Sequence, residues 1–310
     1  MKPIAVSIGD PAGIGPEIAL KASIRFTPPT ILVGDAAVLE ETRSRLGMVL
    51  PPQVSIQSLA PSPASPACQP GLPGAHTGQA AWLAITTAVA LVQNGTARAI
   101  TTAPIAKSAL RAAGHQWPGH TELLADLAGG VEVRMMLANP ELRVVLVTVH
   151  QSLRSALDSL STELIEQTIR IADRSLKKFG ITRPRLAVAG VNPHAGEGGL
   201  FGEEEIRLVA PAVAAACADG ICASGPFAPD TIFMRARGLD EFDAVIAMYH
   251  DQGLIPVKYL GIEDGVNVTL GLPFVRTSPD HGTAFDIAGT GTANETSMLA
   301  ALTMADQLAN

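Results

Sequence analysis

Short β-rich apolar runs alternate with longer helical ones along almost the whole chain, and this alternation restricts the fold more than any single motif. IAVSIG (4–9) reads as a strand, GPEIALKASIRF (15–26) as a helix and TILVGD (30–35) as a second strand. A buried-type helix at 79–95, a strand at 97–105 and the continuous apolar strand LRVVLVTVH (142–150) follow. A helix at 161–180 opens on a capping-box pattern around Ser161 and closes on basic residues and Gly180. RLAVAGVN (185–192), a helix around 202–219, DAVIAMYH (243–250) and a closing helix from about Asn294 complete the series. Strands apolar along their whole length need cover on both faces, so the spacing predicts an α/β fold with a largely parallel sheet. Aromatic residues are only 4% of the chain against 47% hydrophobic residues, so Ala, Val, Leu and Ile must fill that core. The Pro/Ser-rich segment 51–78 breaks the rhythm and reads as a surface excursion.

Ligands of parallel α/β sheets bind beyond the carboxyl ends of the strands. Three of the seven histidines are placed there: His150 ends one predicted strand, His250 ends another, and His194 follows a third by one residue. His194 lies in GVNPHAGEGG (190–199), a turn able to cradle phosphate, to present an imidazole to a metal, or merely to connect two elements. A lone strand-end histidine is usually structural. Three in the same setting point to a metal with an open coordination position, best suited to zinc and tolerable for cobalt or nickel. Asp251 beside His250 and Glu197 beside His194 are candidate acceptors for the second ring nitrogen.

A second constellation suits an anion. GHTE places His120 and Thr121 just before a predicted helix, LLADLAGG, whose free N–H groups attract negative charge. Lys258, Asn267 and Arg276 each lie in or near an apolar segment, where a buried cation requires a partner. A phosphate or carboxylate would supply one, and an internal salt bridge would do so equally. GDPAGIGPE (9–17) joins a strand to a helix, but its glycines match neither the Rossmann nor the P-loop spacing. It reads as a tight turn in which Asp10 can still face a cleft.

Other classes are set aside. The formal charge of −7, with no basic block, leaves no nucleic-acid footprint. Cys68, Cys217 and Cys222 form no CxxC pair, which argues against a disulfide framework and a thiolate zinc site. No apolar run reaches membrane-spanning length and the first residues lack a signal h-region, so the expected location is cytoplasmic.

GDPAGIGPE (9–17), PGHTELL (118–124), VNPHAGEGG (191–199), AMYHDQGL (247–254) and GVNVTLGLPFVRTSPDHGTAFDIAG (265–289) together resemble the 4-hydroxythreonine-4-phosphate dehydrogenase family of pyridoxal phosphate (pyridoxine) biosynthesis. The resemblance implies metal- and NAD-dependent oxidation of the secondary alcohol of 4-phosphohydroxy-L-threonine, then decarboxylation to 3-amino-2-oxopropyl phosphate. It implies His150, His194 and His250 as ligands of a divalent metal, zinc first with magnesium or cobalt as alternatives, in a site shared across a homodimer. It implies His120, Thr121, Lys258, Asn267 and Arg276 as contacts of a small phosphorylated hydroxy acid. Lys258 or Asp230 would serve as the catalytic base.

HGTAFDIAGTGTANE (281–295) is also similar to the cofactor loop of isocitrate and isopropylmalate dehydrogenases. That implies His281, Gly282, Thr283, Ala284 and Asn294 around NAD or NADP. It also implies two α/β/α domains around a central cleft, 1–123 plus 271–310 and 124–270, the second carrying the metal ligands and dimer interface. The rivals within the family oxidise threonate or erythronate 4-phosphate or a terephthalate cis-dihydrodiol. Rivals in other classes are a zinc-dependent phosphoester hydrolase and a metal-dependent aldolase, against which the 281–295 segment argues.

Overall fold

The computed structural model describes residues 1–59, 68–117, 119–261 and 264–309. The chain divides into two compact units, Met1–Val131 with Leu272–Asn310, and Glu132–Gly271. The first unit begins β1 (Ile4–Ser7), α1 (Gly15–Arg25), β2 (Thr30–Gly34), α2 (Ala36–Arg45) and β3 (Val54–Ser58). It continues through α3 (Ala75–Gln93), β4 (Ala99–Thr102), α4 (Lys107–Ala112) and α5 (His120–Leu127). The second unit comprises β5 (Arg134–Ala138), β6 (Arg143–Leu146), α6 (Leu153–Ser159), α7 (Thr162–Lys178), β7 (Leu186–Ala189) and α8 (Ala210–Ala218). It ends with β8 (Ala223–Phe227), α9 (Pro229–Arg235), β9 (Ala244–Ala247), α10 (His250–Leu260) and β10 (Val266–Leu270). The chain then returns to the first unit as β11 (Val275–Pro279) and α11 (Thr296–Leu308). The first crossing falls after α5, because that helix packs on α3 of the same unit.

In the first unit the strands lie in the order β3-β2-β1-β4-β11, all parallel to their neighbours. The order reverses direction between β1 and β4, which makes the turns after those strands a topological switch point. GDPAG lies there, with the Asp10 N–H donating to the Pro104 carbonyl at 2.9 Å. Gly9 has φ +69°, and a Cβ on it would stand 2.2 Å from the Pro104 oxygen, so only glycine fits. Asp10 does not face outward: it is fully buried, and its carboxylate accepts the Ala12 N–H at 3.0 Å and the Thr77 hydroxyl at 3.3 Å. The 51–78 segment is only partly an excursion. Its residues 54–58 form β3, an edge strand on β2 with Val54 alone buried, while 60–67 lie outside the described residues.

In the second unit the order is β10-β5-β6-β9-β7-β8. β6, β9, β7 and β8 are parallel, whereas β5 runs antiparallel to both β6 and β10. Asn139 closes the β5–β6 hairpin, its Oδ1 accepting the N–H groups of Glu141 and Leu142 at 2.9 and 2.8 Å. α7 opens where expected, with Ser161 Oγ accepting the Leu164 N–H at 3.1 Å. The helix expected around 202–219 begins as a π-turn over Glu205–Val209 before α8.

The three histidines lie beyond the strands instead of within them. β6 stops at Leu146, β7 at Ala189 and β9 at Ala247, so His250 is the first residue of α10, not the last of a strand. His120 and Thr121 likewise open α5 instead of preceding it. A core of Leu137, Val144, Leu146, Val245, Leu254 and Val257 fixes α10 on its strands. A Cβ at Gly253 would come within 2.7 Å of Leu146 and Val144 side-chain atoms, so this glycine lets the helix approach closely enough to set the position of His250.

Candidate active site

β6, β9 and β7 are neighbouring parallel strands, so their carboxyl ends open on one edge of the second unit. Two side chains tie those ends together. Thr148 donates its hydroxyl to the Met248 carbonyl at 2.7 Å. Gln252, nearly buried, accepts the Met248 N–H at 2.7 Å and donates to the Gly190 carbonyl at 2.7 Å. The result is a fixed frame for the three histidine-bearing segments. His150 and His250 stand side by side with ring centroids 5.6 Å apart. They line an open hollow of about 590 Å³ that also includes Tyr249, Asp251 and the start of α6. His250 Nδ1 lies 2.7 Å from Asp251 Oδ1. With the carboxylate accepting that N–H, the Nε2 lone pair is left for a metal.

His194 is delivered differently. Residues 194 to 198 all have positive φ, a left-handed turn that includes the non-glycine residues His194, Ala195 and Glu197. Each such residue costs about 1–2 kcal/mol against its right-handed form, so the surroundings must impose the turn. Glu205, 2% exposed, does so: it accepts the N–H groups of Val191 and Asn192 at 2.6 and 2.7 Å and the Asn192 side-chain amide at 3.0 Å. His194 projects outward, 60% exposed, with Nδ1 3.9 Å from the equally exposed Asp230 of α9. Within one chain it does not join the other two. Among the described residues no group of three or more His, Cys, Asp or Glu side chains is placed to hold a metal. The donor chemistry of the His150–His250 pair nevertheless fits a borderline divalent ion, which prefers imidazole nitrogen.

The anion constellation divides by unit. In the first, Arg276 of β11 is 2% exposed, and its guanidinium donates to the Thr102 hydroxyl of β4 through Nε and Nη2 at 3.2 and 2.7 Å. Burial lowers its pKa to about 9. His120, the first residue of α5, has a sealed-off Nε2 with no hydrogen-bond partner among the described residues. Burial, and then the nearby Arg276 charge, hold its pKa well below the ordinary imidazole value. Thr121, the next residue, is half-buried. A buried guanidinium, a polar ring nitrogen without a partner and a helix N-terminus without a side-chain cap together describe an anion receptor. In the second unit Lys258 lies in the last turn of α10, and Asn267 of β10 keeps a buried Oδ1 with no partner among the described residues.

The depressed His120 value has a sign that can be measured. The unfolded chain takes up a proton as pH falls through about 6.5, while the native imidazole stays neutral. The unfolded state therefore binds more protons in that window, and stability falls on acidification. Urea midpoints of His120→Asn are expected to fall less steeply than wild type between roughly pH 6.5 and 5. Equal slopes would show that His120 titrates normally.

Residues 281–295 form no helix or strand and wrap onto α1 of the same unit. His281 and Gly282 are exposed, and a Cβ on Gly282 would meet nothing within 4 Å. Ala284 has φ +40°. Thr283 gives its carbonyl to the Ile14 N–H at 2.9 Å, and Asn294 Oδ1 accepts the N–H and hydroxyl of Thr296, the first residue of α11, at 2.9 and 2.7 Å. The open backbone at 281–282 has room for a flat ligand to lie on it.

The profile of the pyridoxal phosphate biosynthetic protein PdxA matches residues 26–305. A 4-hydroxythreonine-4-phosphate dehydrogenase of Beijerinckia indica is 52% identical, over 99% of this chain and 95% of its own length. A D-threonate 4-phosphate dehydrogenase of Pectobacterium atrosepticum is 46% identical over 99% of each chain. The crystal structure of a 4-hydroxythreonine-4-phosphate dehydrogenase from Klebsiella pneumoniae superposes with a TM-score of 0.93 at 45% identity, covering both chains completely. At 13% identity, a β-decarboxylating dehydrogenase of Thermococcus kodakarensis shares the fold with a TM-score of 0.51 over 99% of this chain and 84% of its own. With nine-tenths of its length matched by one profile and full-length relatives near half identity, the chain belongs to the PdxA family.

Proposed function

We propose that this chain is the dehydrogenase that oxidises the secondary alcohol of 4-phosphohydroxy-L-threonine, the oxidised acid then losing CO₂ to give 3-amino-2-oxopropyl phosphate. The observation that carries the reading is the anion receptor of the first unit, the buried Arg276 guanidinium beside the His120 Nε2 at the opening of α5, which has no partner among the described residues. A substrate phosphate would contact the guanidinium, the His120 ring and the helix terminus at once, and it takes no part in the oxidation. Binding energy gained there goes into alignment at the alcohol. Lys258 and Asn267 are read as further substrate contacts.

His150 and His250 would hold the divalent metal, zinc first with magnesium or cobalt as alternatives, and His194 of a second copy would complete the set. The bound groups supply what side chains cannot: a Lewis acid that lowers the pKa of the alcohol, and a nicotinamide, NAD or NADP over 281–284 and Asn294, that accepts hydride. The chain itself handles the proton and the geometry. Lys258 or the Asp230 carboxylate takes the hydroxyl proton. Asp251 keeps the His250 ring in one orientation and tautomer. Arg276, His120 and Thr121 hold the phosphate still.

The Pectobacterium relative favours a second reading with the same chemistry, oxidation of threonate 4-phosphate, for which the phosphate receptor serves equally. One experiment separates the readings. Reduction of NAD and of NADP is followed with 4-phosphohydroxy-L-threonine, threonate and erythronate 4-phosphates and the terephthalate cis-dihydrodiol, each with and without chelator. The expected result is chelator-sensitive reduction that is fastest with 4-phosphohydroxy-L-threonine. A faster rate with threonate 4-phosphate selects the second reading, and release of phosphate without nicotinamide reduction would point to a hydrolase.

A further inference from the structure

Glu17 and Lys21 stand one turn apart on α1, directly after the switch-point turn, and nothing above gives either a task. Glu17 is 2% exposed. Its Oε1 accepts the Lys21 ammonium at 2.7 Å and the Ala293 N–H at 2.9 Å, and its Oε2 accepts the Gly291 N–H at 3.2 Å. Lys21 donates in turn to the carbonyls of Gly291 and Ala293 at 2.9 and 2.8 Å. One ion pair thus satisfies both the N–H and the C=O of two alternate residues in the 281–295 loop. The other part of that loop is held by the GDPAG turn. Ile14 N–H bonds the Thr283 carbonyl at 2.9 Å, and a Cβ on Gly13 would stand 2.8 Å from the same oxygen.

A buried ion pair of this kind contributes little net stability, because desolvation offsets its attraction. A pair four residues apart on one helix would also be complete without the loop. What the arrangement does specify is a single backbone conformation at 291–293. Gly291 takes φ +82° there, a shape that four backbone hydrogen bonds to the pair hold in place.

We infer that Glu17 and Lys21 are positioning residues for the nicotinamide cofactor, a clasp that acts through the backbone of Gly291 and Ala293. The inference rests on reading 281–295 as the cofactor loop. It gives GDPAGIGPE a role beyond a tight connection: its Gly13 admits Thr283, and its glutamate fixes the distal end of the same loop.

Glu17→Gln keeps the shape and loses the charge, while Lys21→Met keeps the stem and loses both carbonyl bonds. Pre-organisation of a binding loop sets affinity, so each variant is expected to raise the NAD dissociation constant about tenfold, by calorimetry on metal-loaded protein. The substrate KM should stay within about twofold of wild type, since the anion receptor lies on other elements. Amide exchange at 291–293 should accelerate, and Lys21→Arg, which retains a cation for both carbonyls, should restore NAD affinity. If Glu17→Gln does not fold, Lys21→Met and Lys21→Arg decide alone. His281→Ala and Asn294→Ala test the loop itself. If those two weaken NAD binding while the clasp variants bind it as wild type does, the clasp is overturned and the cofactor loop stands. If all four bind NAD as wild type does, the loop reading has failed and the clasp fails with it.

Discussion

Mixing His194→Ala protein with His250→Ala protein, each inactive alone, should restore about a quarter of wild-type activity, because random pairing makes half the dimers mixed and each mixed dimer retains one of two shared sites. The expectation follows from the way the second unit delivers its imidazoles. Thr148 and Gln252 lock the ends of β6, β9 and β7 together, and this brings His150 and His250 side by side. The same frame sends His194 outward on a left-handed turn, and no three-ligand group forms within one chain among the described residues. On the proposed reading, His194 of a second copy completes the site.

Leu153 of α6, which lines the hollow with His150 and His250, and the further exposed residues Leu157 of α6 and Ile255 and Tyr259 of α10 are apolar surface that such a copy would cover. Each single variant should lose metal and at least about a thousandfold in rate, since two imidazoles neither retain the ion nor leave its geometry defined. The control is a mixture of His150→Ala and His250→Ala. Those ligands belong to the same half of every site, so no mixed dimer has an intact one. A His194/His250 mixture that stays inactive after demonstrated subunit exchange, or a His150/His250 mixture that recovers, would show that the three histidines do not divide between subunits in this way.

The fold was legible in the sequence wherever a strand was apolar along its length. β1, β2, β4, β6, β7 and β9 all fall inside runs that the hydrophobic pattern marks, because strands covered on both faces are mostly apolar, with small hydroxyl residues such as Ser7, Thr30, Thr101 and Thr102 buried among them. The antiparallel β5 and β10 are different. The sequence pattern marks no element at β5, a five-residue run that ends on the Asn139–Pro140 turn, and the Asn139 side chain that closes the hairpin leaves a weak signal. β3 reads as part of the Pro/Ser-rich excursion because its V-S-I-Q-S alternation is short, lies among prolines and buries only Val54.

The histidines and Arg276 were legible as chemistry because their side chains are chemically unusual at such positions. The groups that hold them were not. Glu205, Gln252, Thr148 and Thr102 act on backbone or on a partner distant in the chain, and Glu17 meets its loop across more than 270 residues. Nothing in local spacing announces such a contact. His250 was placed at the end of a strand for a related reason: Tyr249, extended just before α10, prolongs the strand pattern by composition while the hydrogen-bonded ladder has already ended at Ala247.

Arg276→Gln should lower kcat/KM for the phosphorylated substrate by about 10²–10³, since truncating one partner of a buried charged contact costs about 2–5 kcal/mol. Arg276 of β11 pairs with Ile100 of β4, and the Thr102 hydroxyl on β4 orients the plane of its guanidinium. The fork is therefore oriented before the anion arrives, and no ordering cost falls on binding. Thr102→Val should weaken the same step by only about three- to tenfold, the loss of one neutral hydrogen bond that orients the group.

An Arg276→Gln enzyme of undiminished kcat/KM would remove the phosphate from Arg276 and leave the buried guanidinium to be explained by structure alone.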